Sequence, residues 1–158
     1  MHIREADEGD AAAVTALWTE SYAKAGPEGR QEAYALQEYF AVAAFAHVDV
    51  AVDDNGEAVA VVAVFPPGAP GRSVAGPGEA ELARLAVADR VRRQGIGRAL
   101  VLGATERARA LGAERAALWS RPYQTAAHAL YESLGWRRVP ERDEDDRDGR
   151  RWVFVLDL

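Results

Sequence analysis

The sequence predicts one α/β domain, and three observations carry this prediction. The chain has 158 residues, which is the size of one domain with one hydrophobic core. Residues 47–65 are expected to form a β-hairpin, because valines alternate before an Asp-Asn-Gly turn and a second apolar run follows it. In residues 79–120 the apolar spacing changes from that of a strand to that of a helix, and a further strand follows. Strands and helices therefore share one core.

The composition is typical of a folded protein without disulfides. Apolar residues make up 49% of the chain and charged residues 28%, as in ordinary globular domains. There is no cysteine, so neither a disulfide nor an acyl-cysteine intermediate can form. A net charge of −6 argues against a general nucleic-acid surface. No long apolar segment or apolar signal region is visible, which predicts a cytoplasmic protein that contacts no membrane.

Two helices are expected before the hairpin. Residues 2–6 are short and half apolar, and they lead into a segment whose acidic start and closing Gly26 frame the first helix. Its apolar stripe comprises Val14, Leu17, Trp18 and Tyr22. A second helix is expected over residues 31–46. Its apolar face comprises Leu36, Tyr39, Phe40 and Ala43.

Residues 66–78 are expected to form a loop between the hairpin and the next strand. Four prolines and four glycines occupy its thirteen positions, which neither a helix nor a central strand tolerates. Two interpretations stay open at this point, a surface excursion and a lid over a substrate.

The loop Arg-Arg-Gln-Gly-Ile-Gly, residues 92–97, lies between the next strand and its helix, which Gly112 ends. Its two glycines let the backbone turn sharply and approach a ligand closely. Free N–H groups at the start of a helix, together with the positive end of the helix dipole, suit a phosphate, and nearby arginines add charge. A solvated turn is the alternative. A P-loop and a dinucleotide fingerprint are excluded, because the Lys-Ser/Thr pair and the third glycine are missing.

The C-terminal part is expected to contain one more helix and two strands. Residues 121–136 show apolar residues at helical spacing, and Gly135 ends this helix. Two closing strands are expected on either side of an acidic loop, residues 141–150. A solvated loop is the simplest interpretation, although its carboxylates could attract a basic partner. They lack the spacing of a calcium loop, so we expect no metal.

Two of these segments resemble the GCN5-related N-acetyltransferase (GNAT) family. Residues 92–97 are similar to (Gln or Arg)-x-x-Gly-x-(Gly or Ala), with which the family holds the pyrophosphate of acetyl coenzyme A. Residues 124–136 are similar to the family's Asn-x-x-Ala-x-x-Leu-Tyr followed by Leu-Gly-Phe, with Gln124 in place of the Asn and Trp136 in place of the Phe. The resemblance implies a single GNAT domain over residues 1–158, in which about four helices flank a mixed, mostly antiparallel sheet.

The resemblance also implies a cofactor site and an acceptor pocket. In the family, the strand corresponding to residues 79–87 bears a bulge and splays from its neighbour, which leaves backbone groups free for pantetheine and the thioester carbonyl. The residues implied to bind acetyl-CoA are Leu85, Ala86, Val87, Arg92, Arg93, Gln94, Gly95, Ile96, Gly97, Arg98 and Gln124. The first two helices line the acceptor pocket in the family. The specificity candidates are therefore Trp18, Tyr22, Tyr39 and Phe40.

Acetyl transfer to an amine requires an acid for the departing thiolate and a base for the ammonium group. The family often places a tyrosine hydroxyl near the coenzyme sulfur at the position of Tyr131, so Tyr131 is the expected acid, and a packing role is the alternative. Glu81 lies four residues before Leu85, which predicts side chains on the same strand face. Some family members use a Glu at this spacing as the base. Glu79, a water chain and an ion pair of Glu81 with Arg84 stay open as alternatives.

The expected function is N-acetylation. The resemblance implies direct transfer of the acetyl group of acetyl-CoA to a primary amine of a small molecule or peptide, without a metal. Dimers are common in the family, so a homodimer is a further expectation. The alternatives are a non-catalytic acyl-CoA-binding sensor or partner module of the same fold, and a binder of another nucleotide.

Overall fold

The computed structural model describes residues 1–23 and 39–158, with only the backbone described for residues 22 and 23. The described residues form four α-helices and eight strands. In order they are β1 His2–Glu5, α1 Ala11–Ala23, α2 Tyr39–Ala43, β2 His47–Val52, β3 Ala58–Phe65, β4 Glu79–Val87, α3 Ile96–Ala110, β5 Arg115–Ser120, α4 Thr125–Ser133, β6 Arg137–Arg138, β7 Glu144–Asp146 and β8 Gly149–Asp157. Among these residues no helix is both long and apolar enough to cross a membrane.

The strands form one mixed sheet. Its order is β1-β2-β3-β4-β5-β8-β6, and β7 pairs with β8 outside this path. All pairs are antiparallel except β4 with β5, which run parallel. The β-hairpin, the strand-loop-helix-strand unit and the mixed, mostly antiparallel sheet are therefore confirmed.

Strand β4 carries a bulge and diverges from β5. On the β3 side, Arg84 and Leu85 together face the single residue Val62, and Arg84 has a left-handed φ of 57°. On the β5 side, pairing covers only three positions and ends at Glu81 opposite Ala117. A gap therefore opens between β4 and β5 beyond this pair, as the family resemblance predicts.

A tryptophan from α1 holds the bulge. Trp18 is fully buried, and its indole N–H donates a hydrogen bond of 2.8 Å to the carbonyl oxygen of Arg84. The bulge leaves this carbonyl out of the regular pairing with β3, and the indole supplies a partner for it. Helix α1 is thus joined directly to the strand that borders the gap.

The two faces of the sheet are covered by different elements. Helices α3 and α4 pack on one face through a core that includes Leu82, Leu100 and Phe154. Helices α1 and α2 pack on the other face, with Val14 and Trp18 at its centre. Residues of the loop 66–78 extend this second face over β5 and β8. We call the first the α3 face and the second the α1 face.

The N-terminal helices follow the prediction only in part. Val14, Leu17 and Trp18 are buried in the stripe predicted for α1, whereas the side chain of Tyr22 lies outside the described residues. The first half of the second predicted helix, including Leu36, also lies outside them. Within α2, Tyr39 is buried but Phe40 is 52% exposed. The prediction that both lie on one packed face is therefore wrong, because successive residues of a helix point about 100° apart.

The acidic segment 141–150 differs from the expected solvated loop. It contains a short 3₁₀ helix, strand β7 and the start of β8, so residues 144–151 form a tight hairpin. Asp146 accepts hydrogen bonds from Arg121 and Arg151 at 2.8 to 3.0 Å. Burial alone would raise the pKa of Asp146, but the hydrogen bonds from Arg121 and the Asp148 backbone lower it to about 2. Ion pairing, which the acidic composition did not reveal, gives this segment its structure.

Candidate active site

The loop 92–97 leads into the N-terminus of α3 with its backbone donors uncovered. Gly95 has a left-handed φ of 78°, and no side chain caps the helix. A Cβ added at Gly95 would meet no atom of the described residues within 4 Å, so these residues leave the space in front of the helix start open. The first N–H groups of a helix have no partner within the helix. This helix start therefore presents several N–H groups and a positive dipole end to a ligand.

Arginines surround this helix start, and they differ in how far they are engaged. Arg92 forms an exposed ion pair of 2.9 Å with Asp89. Arg98 donates a hydrogen bond of 3.3 Å to the Ser133 hydroxyl, which links α3 to α4. Arg93 is exposed and has a left-handed φ of 64°, an uncommon conformation for a residue other than glycine that is found at ligand-binding loops. Together they add positive charge to a site already suited to anions.

Three elements meet at Gly97. A Cβ at this position would lie 3.7 Å from Val87 in β4 and 3.8 Å from Leu130 in α4. The first turn of α3 thus touches both the end of the splayed strand and the helix that carries Tyr131. A small depression continues from here toward α1. Its lining residues are Leu17, Glu20, Ser21, Val87, Ala88, Asp89 and Arg92.

The predicted backbone contacts of β4 lie beside the gap. Ala86 and Val87 pair with β3 on one side, and no strand among the described residues pairs with them on the β5 side. Leu85 and Val87 pack against the core of the α3 face, whereas Ala86 is buried in the core of the α1 face. The edge of β4 that faces the gap can therefore pair with an extended ligand.

Tyr131 lies in the core between the sheet and α4. It is 8% exposed, and its ring lies 5.8 Å from Phe154 and 6.1 Å from Trp136, centroid to centroid. Burial raises the pKa of Tyr131 to about 12. The described residues offer its hydroxyl no hydrogen-bond partner, so the hydroxyl can donate a hydrogen bond to a ligand.

Gln124 precedes α4 and turns toward its own chain. Its side-chain oxygen accepts hydrogen bonds from the Ser120 hydroxyl at 3.0 Å and from the Arg121 N–H at 2.6 Å. The amide oxygen thus closes the turn between β5 and α4. The expected contact with pantetheine stays a prediction, and the side-chain NH₂ group is the part of Gln124 left to make it.

Glu81 does not share a strand face with Leu85 and Val87, and this part of the prediction is wrong. The extra residue at the bulge shifts the alternation by one position. Leu85 and Val87 pack on the α3 face. Glu81, opposite Phe65 and Ala117, points to the α1 face. There its carboxylate accepts hydrogen bonds from three N–H groups of the loop 66–78 at 2.7 to 3.0 Å.

Glu79 is held in a similar way. Its carboxylate accepts hydrogen bonds from the Gly76 N–H at 2.9 Å and from Arg142 and Arg115 at 2.7 to 3.1 Å. Burial alone would raise the pKa of Glu79, but the hydrogen bonds from Arg142, Gly76 and Arg115 outweigh it and lower the pKa to about 2. Sequence reasoning missed this network. Two glutamates inside an apolar strand next to a glycine-rich loop were the available signal.

No group of three or more metal-ligating side chains occurs in the part of the chain that the structure describes. His128 and His47 have separate roles. His128 is buried against Trp152 and hydrogen-bonds the Arg121 backbone, and His47 pairs with Glu5.

Comparison with known proteins assigns the family. The sequence model of the acetyltransferase (GNAT) family matches residues 11–136. The chain therefore belongs to the GNAT family. No curated protein sequence matches it.

Solved structures share its fold over the whole length. A ribosomal-protein-alanine N-acetyltransferase from Brucella melitensis is 23% identical, with a TM-score of 0.72 and 100% of both chains covered. A phosphinothricin acetyltransferase from Sinorhizobium meliloti, solved with acetyl-CoA, is 18% identical with a TM-score of 0.74, covering 99% of this chain and 88% of its own. An acetyltransferase from Bacillus subtilis in complex with CoA is 18% identical with a TM-score of 0.71, covering 99% and 98%. At these identities the likeness concerns the fold.

Proposed function

We propose that the chain, residues 1–158, is a single-domain N-acetyltransferase that moves the acetyl group of acetyl-CoA directly to a primary amine of a small molecule or peptide. The observation that carries this proposal is the uncapped start of α3, with Gly95 in a left-handed conformation and open space before it. It lies next to an edge of β4 that no strand of the described residues pairs with. A pyrophosphate fits the first feature, and the amide groups of a pantetheine arm fit the second.

The proposed cofactor site has two parts. The N–H groups of residues 94–98 and the nearby arginine charges would hold the pyrophosphate. The free edge formed by residues 85–87 would pair with pantetheine and donate an N–H to the thioester carbonyl. Such a donor stabilises the charge that develops on that oxygen during acyl transfer.

Tyr131 is the proposed partner of the leaving thiolate, and its burial defines how it acts. An ordinary thiol has a pKa of about 8.5, whereas that of Tyr131 is about 12. Complete proton transfer from the phenol to the thiolate would therefore be uphill by roughly 5 kcal/mol. Tyr131 can still donate a strong hydrogen bond to the sulfur while the charge forms.

Both glutamates considered as the base are already hydrogen-bonded in the fold. Glu81 is the predicted base, and its carboxylate accepts hydrogen bonds from three backbone N–H groups. Glu79 is engaged by two arginines and a backbone N–H. These contacts favour the water chain, in which ordered water carries the proton away from the amine.

A thiol-release assay tests the function. The chain has no cysteine, so a thiol reagent added to enzyme, acetyl-CoA and an amine reports only the coenzyme A that transfer sets free. We expect release with at least one class in a panel of amino acids, small amines and N-terminal peptides. Mass spectrometry should find the acetyl group on the amine nitrogen.

The same preparation separates the alternatives. A thermal-shift comparison of acetyl-CoA, ATP and NAD reports which ligand stabilises the fold. Stabilisation by acetyl-CoA without thiol release for any amine would favour a non-catalytic acyl-CoA-binding module. Stabilisation by ATP or NAD instead would favour a binder of another nucleotide. The cytoplasmic location and the homodimer stay predictions.

A further inference from the structure

We propose that Glu81 is a positioning residue, whose buried carboxylate fixes the loop 66–78 as a rigid wall of the acceptor site. The proposal rests on the proposed function in calling the site an acceptor site. Its structural part, that Glu81 fixes the loop 66–78, can be tested without any activity. It assigns Glu81 a role other than that of general base, and it makes the loop a fixed wall instead of a lid.

The contacts of Glu81 are those of an anion bound in a backbone nest. Oε1 accepts hydrogen bonds from the N–H groups of Ser73 at 3.0 Å, Val74 at 2.7 Å and Ala75 at 2.9 Å. Oε2 accepts a further one from Ser73 at 2.9 Å. Three successive N–H groups that converge on one point form an anion-binding concavity. In this chain the anion is a side chain that is 1% exposed.

Neighbouring groups secure the same loop from both ends. The guanidinium group of Arg72 donates hydrogen bonds to the carbonyl oxygens of Ala69, Gly76 and Glu79 at 3.0 to 3.2 Å. Arg142 donates to the Val74 carbonyl at 2.8 Å and to the Glu79 carboxylate. Backbone donors and acceptors of the loop are thus bound internally, and a loop bound in this way has little freedom to open and close.

The nest lies at the closed end of the gap between β4 and β5. Glu81 and Ala117 are the last pair that joins β4 to β5, so they mark the closed end of the gap. Val74 and Ala75 pack on the α1 face against a cluster that includes Ala117. The phosphate-binding features lie on the α3 face. An amine that enters the gap from the α1 face therefore contacts the loop 66–78 at the closed end of the gap and helix α1 beside the gap.

This arrangement also restricts what Glu81 can do chemically. Oε1 accepts three of the four contacts and Oε2 accepts the fourth, so both carboxylate oxygens are bound to the loop. We expect the carboxylate to act through the position of the loop, and hence on the affinity for the acceptor.

Glu81→Gln tests this assignment, with Glu57→Gln, an exposed glutamate paired with Arg90, as the matched control. In the variant an NH₂ group replaces one oxygen and opposes the Ser73 N–H. We expect amide hydrogen exchange at residues 73–75 to become about tenfold faster, as the loss of one net hydrogen bond implies. The KM for the acceptor should rise by a similar factor, while kcat, the shape of its pH profile and the affinity for acetyl-CoA stay as in the parent.

Two results would overturn the proposal. One is an acidic limb of the pH profile that vanishes in Glu81→Gln while acceptor KM and amide exchange are unchanged, because that is the behaviour of a base. The other is fast exchange at residues 73–75 in the parent protein, which decides the matter even if the variant fails to fold. A parent that acetylates no amine would refute the proposed function, and the exchange measurement would still decide whether Glu81 holds the loop.

Discussion

Two glycine-rich loops flank strand β4, and they use their backbone N–H groups in opposite ways. The loop 66–78 donates its N–H groups to Glu81 and Glu79 of the strand that follows it. The loop 92–97 ends at a helix start that no side chain caps. Both loops are arranged to bind an anion. In the first loop the anions are the glutamate carboxylates of the chain itself, whereas in the second loop no side chain of the described residues takes that position. Glycine content alone therefore does not identify a ligand site, whereas N–H groups without an internal acceptor do.

The arginines of the two loops show the same contrast. Arg72 makes three hydrogen bonds to backbone carbonyl groups of its own region. Arg93 is exposed to solvent in the second loop. The first guanidinium group stabilises the fold, and the second is available to a phosphate.

The largest effect should come from filling the open site, which Gly95→Asp does. Asp tolerates the left-handed conformation better than most residues and caps helix starts well. In addition, a Cβ at this position meets no atom within 4 Å in the part of the chain that the structure describes. The variant should therefore fold. A fixed carboxylate about 4 Å from a pyrophosphate costs up to ~4 kcal/mol at an effective dielectric constant near 20. We expect calorimetry to show a loss of acetyl-CoA affinity of about a hundredfold or more.

Two variants separate charge from shape in this experiment. Gly95→Asn has the same shape and capping ability without the charge, so its affinity should fall much less. Gly68→Asp places the same carboxylate on the other loop, at a left-handed position with open surroundings, and should leave acetyl-CoA binding unchanged. Equal affinity for acetyl-CoA in folded Gly95→Asp and parent would refute the assignment of the phosphate site.

The second effect should be a change in acid stability when Glu79 becomes Gln. A pKa lowered from 4.5 to about 2 corresponds to roughly 3 kcal/mol of folding free energy. This stability is present in full above pH 4.5 and is lost as the pH falls toward 2, because Glu79 binds a proton more weakly in the folded state. The free energy of unfolding of the parent should therefore fall over this range, and that of Glu79→Gln should be lower at neutral pH and flatter below it.

Denaturant unfolding at a series of pH values measures both curves. Asp146 has a lowered pKa in the same range, so the variant should keep part of the slope. Asp145→Asn is the control, since Asp145 is a mostly exposed partner of Arg150 and exposed pairs contribute little. Parallel curves of unfolding free energy against pH for Glu79→Gln and the parent would show that this carboxylate does not stabilise the loop 66–78.

The smallest of the three effects is expected for Tyr131→Phe, which removes a hydroxyl donor that has no hydrogen-bond partner among the described residues. A hydrogen bond to a charged group contributes about 1.5–3 kcal/mol, so kcat should fall by roughly 10- to 100-fold while acetyl-CoA affinity stays the same. Because the pKa of Tyr131 is about 12, the factor should be constant between about pH 6 and 9.

Tyr123→Phe provides the same substitution on an exposed residue and should have parental kcat. If Tyr131→Phe also turns over at the parental rate with a good acceptor, the tyrosine has only a packing role in the core.

Much of the fold was predictable because its signals are local. The Asp-Asn-Gly turn defines the hairpin of β2 and β3, and the change of apolar period defines β4 and α3. The loop 92–97 was recognisable since its glycines and arginines are adjacent in sequence. Helix α4 followed from its spacing and from Gly135, which has a φ of 89° as a helix-ending glycine requires.

The features that were missed depend on contacts between residues that no regular helix or strand spacing relates. The nest of Glu81 joins residues 6 to 8 positions apart across a turn, and the partner of Glu79 is Arg142, 63 positions away. The Trp18 contact with Arg84 spans 66 positions. No periodicity reports such pairs. The face of Glu81 was predicted wrongly because alternation assumes a regular strand, and a single residue at the bulge reverses it.

That single residue divides β4 into two halves with opposite side-chain alternation. Before Arg84 the odd-numbered residues face the α1 side of the sheet, whereas after Arg84 the even-numbered residue Ala86 does. A substitution in one half of the strand therefore leaves the side chains of the other half on the same faces of the sheet. If residues 85–87 hold the coenzyme as proposed, selection for a new acceptor can change the first half of the strand without altering them. Deleting one residue at the bulge would undo this independence, because Leu85 and Val87 would turn to the opposite face of the sheet.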